Sequence, residues 1–243
     1  MPITFSHPGI IFPFKHYFPK LSLLALIIGS VIPDVEHFIQ LSVAAKIAHT
    51  WWGMFVFNLP MGVLYYYLAK VIVLPVLLNV SPIKFRNDVL RTYNFKVICF
   101  SILIGSFSHL FLDGFTSKGG FFVKLFPVLR EQVQFFSETR PDYLYITLWY
   151  VFSWLGSLIV VILFLKQVDL SKTIDAFTHK KWHLLYFIEA LFFAECIVIA
   201  KGSFFAFPDQ FMHWSILIVG ACMFACIITS LHWKYLILTD TRH

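Results

Sequence analysis

Charge is what this sequence has least of. Asp, Glu, Lys and Arg together make up 13% of its 243 residues, where a soluble globular domain carries about 25%. That shortage excludes a soluble domain. The 59% hydrophobic content, 29 phenylalanines and mean hydropathy of +0.78 point instead to a membrane protein. Cysteine is scarce as well. Cys99, Cys196, Cys222 and Cys226 all lie in apolar runs and form no CxxC pair, so they read as small buried hydrophobes rather than a zinc knuckle or dithiol. Cys222 and Cys226 share a helix face, a spacing that alone argues for nothing. GxSxG, P-loop and HExxH are absent, which removes serine-hydrolase, NTPase and zincin readings that depend on them. No small-x-small cleavage pattern follows Leu21 to Ile32, so the N-terminus is expected to stay in the mature protein. There is no internal repeat or low-complexity tract, and the length permits one integral-membrane domain, 1–243.

Lys and Arg exceed Asp and Glu by 19 to 13, with a pI near 9.1. The basic residues occupy short connections between apolar runs, where anionic headgroups and topology account for them, so no nucleic-acid partner is expected and membrane lipids are.

Residues 1–20 carry Pro2, Pro8, Pro13 and Pro19 and permit only short helical turns. Leu21 to Ile32 is apolar but only 12 residues long, where spanning takes about 20; it reads as a short or re-entrant helix that delivers Asp34. Trp51 to Leu78 is a span with a kink expected at Pro60. Val97 to Phe115, Tyr143 to Leu165, Leu184 to Ala200 and Trp214 to Leu238 are further spans, the last with His232, Trp233 and Lys234 as interface anchors. The fold class is therefore all-α: a polytopic membrane helix bundle of five to six membrane segments. The loop from Thr116 to Asp142 is long enough to be a lid or access loop. His179, Lys180, Lys181 and His183 read as a membrane-surface basic cluster.

Connections 79–96, 116–142 and 166–183 carry four Lys or Arg each, and 201–213 carries only Lys201. Placing that poorest loop outside puts the Asp113 end of its span and the start of the Trp51 span, close to His49, on one face. His7 would then be excluded if Leu21 to Ile32 spanned.

His7, Asp34, Glu36, His37, His49, His109 and Asp113 stand out against apolar surroundings. His109 and Asp113 are four apart and share a helix face. An ionisable pair in a membrane segment must meet a partner, water or the protein interior. Imidazole with carboxylate is the usual ligand set for zinc and related divalent ions, and a catalytic site takes about three such ligands plus an open position. Each residue also has a plainer role. His109 with Asp113 reads equally as a hydrogen-bonded helix tie, Asp34 as a cap or turn residue, His49 as an interfacial histidine and His7 as a helix cap. Glu36 and His37 are expected at solvent. Glu189 and Glu195, six apart, point to different faces of one helix; one is expected to pair with a Lys or His, and a proton pathway would need both in a cavity.

The motifs Thr4-Phe5-Ser6-His7-Pro8, Gly29-Ser30-Val31-Ile32-Pro33-Asp34, His49-Thr50 and Gly105 to Thr116 resemble an uncharacterised bacterial family of integral-membrane proteins, a domain of unknown function related to membrane-bound metal-dependent hydrolases. The order of His7, Asp34 with His49, and His109 with Asp113 is also similar to the ligand pattern of the zinc-dependent phospholipase C and P1 nuclease group. The resemblance implies a multi-pass protein of the bacterial inner (cytoplasmic) membrane. It also implies a divalent metal, zinc foremost, held by His7, Asp34, His49, His109 and Asp113, with Asp34 the catalytic carboxylate that bridges or orients the metal's water. Ser117 stands where relatives often have His, Tyr150 replaces a later His, and the phospholipase group's late His-x-x-x-Glu is missing, which implies a reduced site, either with one metal or no longer turning over. The expected activity is hydrolysis of an ester or phosphoester, possible substrates including lipids. The alternative is a non-catalytic membrane scaffold or partner-binding protein in which the same residues make buried hydrogen bonds.

Overall fold

The structure, a computed structural model, describes residues 3–11, 17–42, 47–85, 91–133, 142–177, 182–204 and 211–240. Among these the fold is all-α, with helices α1 (Leu23–Gln40), α2 (Met54–Val80), α3 (Phe95–Thr116), α4 (Phe121–Leu125), α5 (Leu144–Gln167), α6 (Leu170–Phe177), α7 (Trp182–Phe204) and α8 (Phe211–Asp240). A 3-10 helix covers Thr4–Ile10, another Pro127–Arg130, and Gln132–Val133 pairs antiparallel with Asp142–Tyr143. Among the described residues five stretches are long and apolar enough to cross a membrane: α1, α2, Phe95–Leu125, α5 and His213–Leu236 of α8. The expected spans Trp51 to Leu78, Val97 to Phe115, Tyr143 to Leu165 and Trp214 to Leu238 fall on four of them. The fifth expected span, Leu184 to Ala200, lies in α7, which is helical throughout but carries Glu189, Glu195 and Lys201 within a span's length.

Two expectations change. Leu21 to Ile32 is not a half-helix ending at Pro33, since α1 continues through Pro33 to Gln40 over 18 residues. Proline forfeits one helical hydrogen bond, and a long buried apolar face holds the helix together across that gap. Glu36 consequently sits inside the helix and is buried at 5% exposure, accepting from Gln40 Nε2 at 3.5 Å, rather than facing solvent. In α2 the backbone widens into π turns at Met54–Asn58 and Ala69–Val73, each just ahead of a proline, Pro60 or Pro75. The extra residue in each turn accommodates a missing N–H.

Contact density divides the chain into two compact units, Met1–Pro33 with Ile47–Val63 and Tyr93–Leu165, and Asp34–Lys46 with Leu64–Thr92 and Lys166–His243. In the first, α1 and α3 cross at Gly29 and Gly105. A Cβ on Gly29 would lie 2.3 Å from the Ile102 carbonyl oxygen, and one on Gly105 would lie 2.3 Å from that of Leu26. Only glycine allows two helix backbones this close. The Ser22 amide donates to Ser101 Oγ across the same crossing at 3.0 Å. The 3-10 helix docks on α5 by the same device: a Cβ on Gly156 would meet the Ser6 carbonyl oxygen at 2.5 Å, and the Ile3 amide donates to Ser153 Oγ at 3.1 Å. Ile11, Leu21 and Leu26 form an apolar core beside it.

In the second unit, α7 packs on α8 through Ala194, Ala221 and Ala225, small residues that let the helices approach. Glu189 is held by two residues of α8: His232 Nδ1 at 2.6 Å and Trp233 Nε1 at 2.8 Å. His232 and Trp233 therefore do more than anchor an interface. Tyr186 and Ser230 share a 2.9 Å hydrogen bond one turn away. Asp169 caps α6, its Oδ1 accepting from Ser171 Oγ at 2.8 Å and its carbonyl accepting from the Thr173 amide at 2.9 Å.

The four cysteines are free thiols on α3, α7 and α8. Pro2, Pro13, His179, Lys180 and Lys181, named above for turns or topology, lie outside the described residues, as do 134–141 of the loop expected to be a lid.

Candidate metal centre

α3 starts at a true cap, where the Asn94 side chain accepts from the Val97 amide at 2.8 Å. It runs 22 residues to Thr116, so His109 and Asp113 sit near its C-terminal end. His109 is fully buried and Asp113 is 7% exposed. The helical spacing brings His109 Nε2 to 3.5 Å from Asp113 Oδ2.

His109 is oriented from the other side of its ring. Its Nδ1 lies 2.7 Å from the Ser30 carbonyl oxygen of α1. A carbonyl only accepts, so Nδ1 carries the proton and a neutral His109 presents an unprotonated Nε2 to the Asp113 carboxylate. Two acceptors 3.5 Å apart repel unless a cation or proton lies between them. The Gly29–Gly105 crossing makes this bond possible, since it brings Ser30 within reach one turn before His109. Pro33 cannot donate to the Gly29 carbonyl, and α1 stays helical past it.

His49 arrives from a different element. It occupies the turn before α2, closed by the Thr50 hydroxyl donating to the Ile47 carbonyl at 2.8 Å and by the Gly53 amide donating to Thr50 Oγ1 at 2.9 Å. Its Nε2 lies 3.7 Å from Asp113 Oδ2, and its ring meets that of His109 edge-on with centroids 5.4 Å apart. One ligand atom each from His49, His109 and Asp113 lies within 4.8 Å of the other two. Tetrahedral ligands about 2.0–2.1 Å from zinc are separated by about 3.4 Å, so the observed 3.5 and 3.7 Å need only shifts of a few tenths of an ångström.

His7 joins them. It lies in the 3-10 helix, not at its cap, is fully buried, and stacks on the His109 ring with centroids 3.8 Å apart and 16° between planes. This overturns the topological objection that excluded His7 if α1 were long enough to span. The 3-10 helix packs on α5 within the first unit, with His7 turned into its interior. Asp34, buried at 3% exposure, lies one turn beyond Ser30 on α1 and is the first residue of the second unit. Glu36 and His37 follow on that helix, with His37 Nδ1 3.2 Å from the Ser42 carbonyl oxygen.

Sequence reading missed Asn58. It is fully buried at the end of the first π turn, and its Nδ2 donates to the Ala48 carbonyl at 2.9 Å and to Ser106 Oγ at 2.8 Å. One amide thus ties the residue before His49 to α3, one turn before His109. The signal was available, since Asn58 is the single amide in the apolar run from Trp51 to Leu78. Asp113 is nearly closed off, its Oδ1 buried without a hydrogen-bond partner among the described residues, while the His49 side chain is 21% exposed. That exposure does not reach the ligand atom, since His49 Nε2 is itself buried.

An all-α fold with five membrane-length helices and a His–His–Asp cluster at the end of one of them defines an integral-membrane protein with a candidate metal centre. The chain belongs to the family described as domain of unknown function (DUF4184), whose model matches residues 1–237. No curated protein and no solved structure matches it.

Proposed function

We propose that this protein is a membrane-bound, metal-dependent hydrolase of the bacterial inner membrane with a single reduced metal site. His49, His109 and Asp113 hold the ion, zinc foremost among divalent candidates, and His7 supports the His109 ring. The observation that carries this reading is the His109 Nδ1 contact to the Ser30 carbonyl at 2.7 Å. Metal-binding histidines characteristically donate their other ring N–H to a carbonyl or carboxylate, which fixes tautomer and orientation.

When bound, such an ion supplies Lewis acidity toward an ester or phosphoester oxygen. The chain's own contributions are specific. Ser30 and the stacked His7 ring hold His109 in one orientation, Asn58 holds the His49 turn, and the buried surroundings of Asp113 keep water from competing for its carboxylate.

Metal analysis of the purified full chain tests the proposal. About one divalent ion per chain is expected in wild type, with loss in His109→Ala and Asp113→Ala. A metal-free wild type, or unchanged content in both variants, would sink it. In that event the scaffold reading takes over: His109 and Asp113 tie helices together, and His109→Ala lowers stability alone.

A further inference from the structure

The segment that follows α3 has an outward surface that neither water nor hydrocarbon accounts for. α3 is 22 residues long, about 33 Å at 1.5 Å per residue, which matches a hydrocarbon core of about 30 Å. Within the membrane-length stretch Phe95–Leu125, a 22-residue helix that crosses such a core brings the chain after Thr116 to its interface. It does not leave the helix end. A Cβ on Gly120 would lie 2.3 Å from the Gly114 carbonyl oxygen, and the Phe122 ring stacks on Phe115 with centroids 4.0 Å apart and 14° between planes. Val123 and Leu129 are buried beneath the segment and fix its other side.

What remains outward is of two kinds. Phe121, Leu125, Phe126 and Val128 are large apolar residues, each between 46% and 58% exposed. Among and beside them Lys118, Lys124 and Arg130 are exposed, and Glu131 is the single acid in the stretch 114–131. Four exposed apolar side chains on a short segment are costly in water, and three cations are costly in hydrocarbon. A layer of anionic headgroups above acyl chains satisfies both sets, as it does for interfacial amphipathic segments generally.

We propose that Lys118, Lys124 and Arg130, with Phe121 and Phe126, form a docking surface for anionic glycerophospholipid, seated at the Asp113 end of α3. The phosphate lies among the basic side chains and the upper acyl chain against the rings. The surface brings lipid headgroups to the helix end that carries the metal centre, and it holds whether or not the centre binds metal.

The test is native mass spectrometry of the full chain in detergent with EDTA present, titrated with dioleoylphosphatidylglycerol or dioleoylphosphatidylcholine. Because no metal is present, failure here is distinct from failure of the hydrolase reading. Wild type is expected to bind the anionic lipid severalfold more tightly. Lys118→Gln with Lys124→Gln should weaken anionic-lipid binding by about fivefold per lysine and leave the zwitterionic lipid unaffected, while Lys118→Arg with Lys124→Arg restores the preference. Equal binding of the two lipids by wild type would overturn the proposal. So would an equal loss from the control pair Lys166→Gln with Lys172→Gln, because the effect would then be diffuse charge. A concentration-dependent dimer abolished by Phe121→Ser with Phe126→Ser, with lipid preference unchanged, would assign the face to a second copy and likewise overturn it.

Discussion

His109 and Ser30 meet across a helix crossing: the imidazole Nδ1 lies 2.7 Å from a backbone carbonyl 79 positions earlier in the chain. This bond fixes which nitrogen faces Asp113. It forms because Gly29 and Gly105 let α1 and α3 touch through their backbones.

Gly105→Ala should therefore damage both fold and site. Alanine gains about 1 kcal/mol over glycine in a helix interior, but its Cβ would lie 2.3 Å from the Leu26 carbonyl oxygen and 2.7 Å from the Ser30 amide nitrogen. Backbone cannot swing aside as a side chain can, so overpacking of about 1–3 kcal/mol or more wins. Thermal unfolding in detergent should show a lower midpoint for Gly105→Ala. It should show no loss for Gly119→Ala, where a Cβ meets nothing within 4 Å.

Asn58→Leu removes the amide that holds both the Ala48 carbonyl and Ser106 Oγ. Leaving such buried groups unpaired costs about 1–3 kcal/mol. If the bond positions His49, metal affinity should also fall about 10–100-fold, as for other groups that orient metal ligands. Chelator competition separates the two effects: a destabilised variant with wild-type affinity would show that Asn58 positions nothing.

Acid should release the ion. Protons and a divalent cation compete for the same imidazole lone pairs and carboxylate oxygens, so lowering the pH from about 7.5 to about 5 should reduce bound metal. Dialysis followed by elemental analysis would show a monotonic decline. Content constant over that range would place the ion on other ligands.

The two glutamates of α7 should behave differently. Glu189 accepts from Trp233 and pairs with His232, and hydrogen bonds to charged groups are worth about 1.5–3 kcal/mol before discounting for exposure. Glu195 lies on the exposed side of the helix. Glu189→Ala is expected to lower the unfolding midpoint, with Glu195→Ala close to neutral; the reverse order would contradict the α7–α8 tie.

Asp169 gives a pH dependence outside the membrane segments. The Ser171 hydroxyl, followed by the Lys172 amide, holds its carboxyl below the ordinary aspartate value. A depressed folded pKa contributes stability that is present above the unfolded pKa and lost as the pH falls through the folded one. Hydrogen exchange in α6 should be faster in Asp169→Ala than in wild type near neutrality, and the difference should vanish in strong acid.

The class of this protein followed from composition, because a chain so poor in charge has nothing with which to cover a water-facing surface. Periodicity and spacing then placed His109 and Asp113 on one helix face, since neighbours four apart need only a helix to meet. His49 was brought to the same side by the distribution of basic residues. Local pattern could not carry further, for three reasons visible in particular residues. α1 runs through Pro33 because buried apolar contacts outweigh one missing hydrogen bond, which propensity alone does not reveal. His7 reaches His109 because a 3-10 helix docks through Gly9 and Gly156, a contact between elements some 150 residues apart in sequence that no local pattern encodes. The orientation of His109 rests on a main-chain carbonyl, and every residue offers one of those. Sequence supplied the donors; the close crossing of α1 and α3 decided which atoms of those donors face one another.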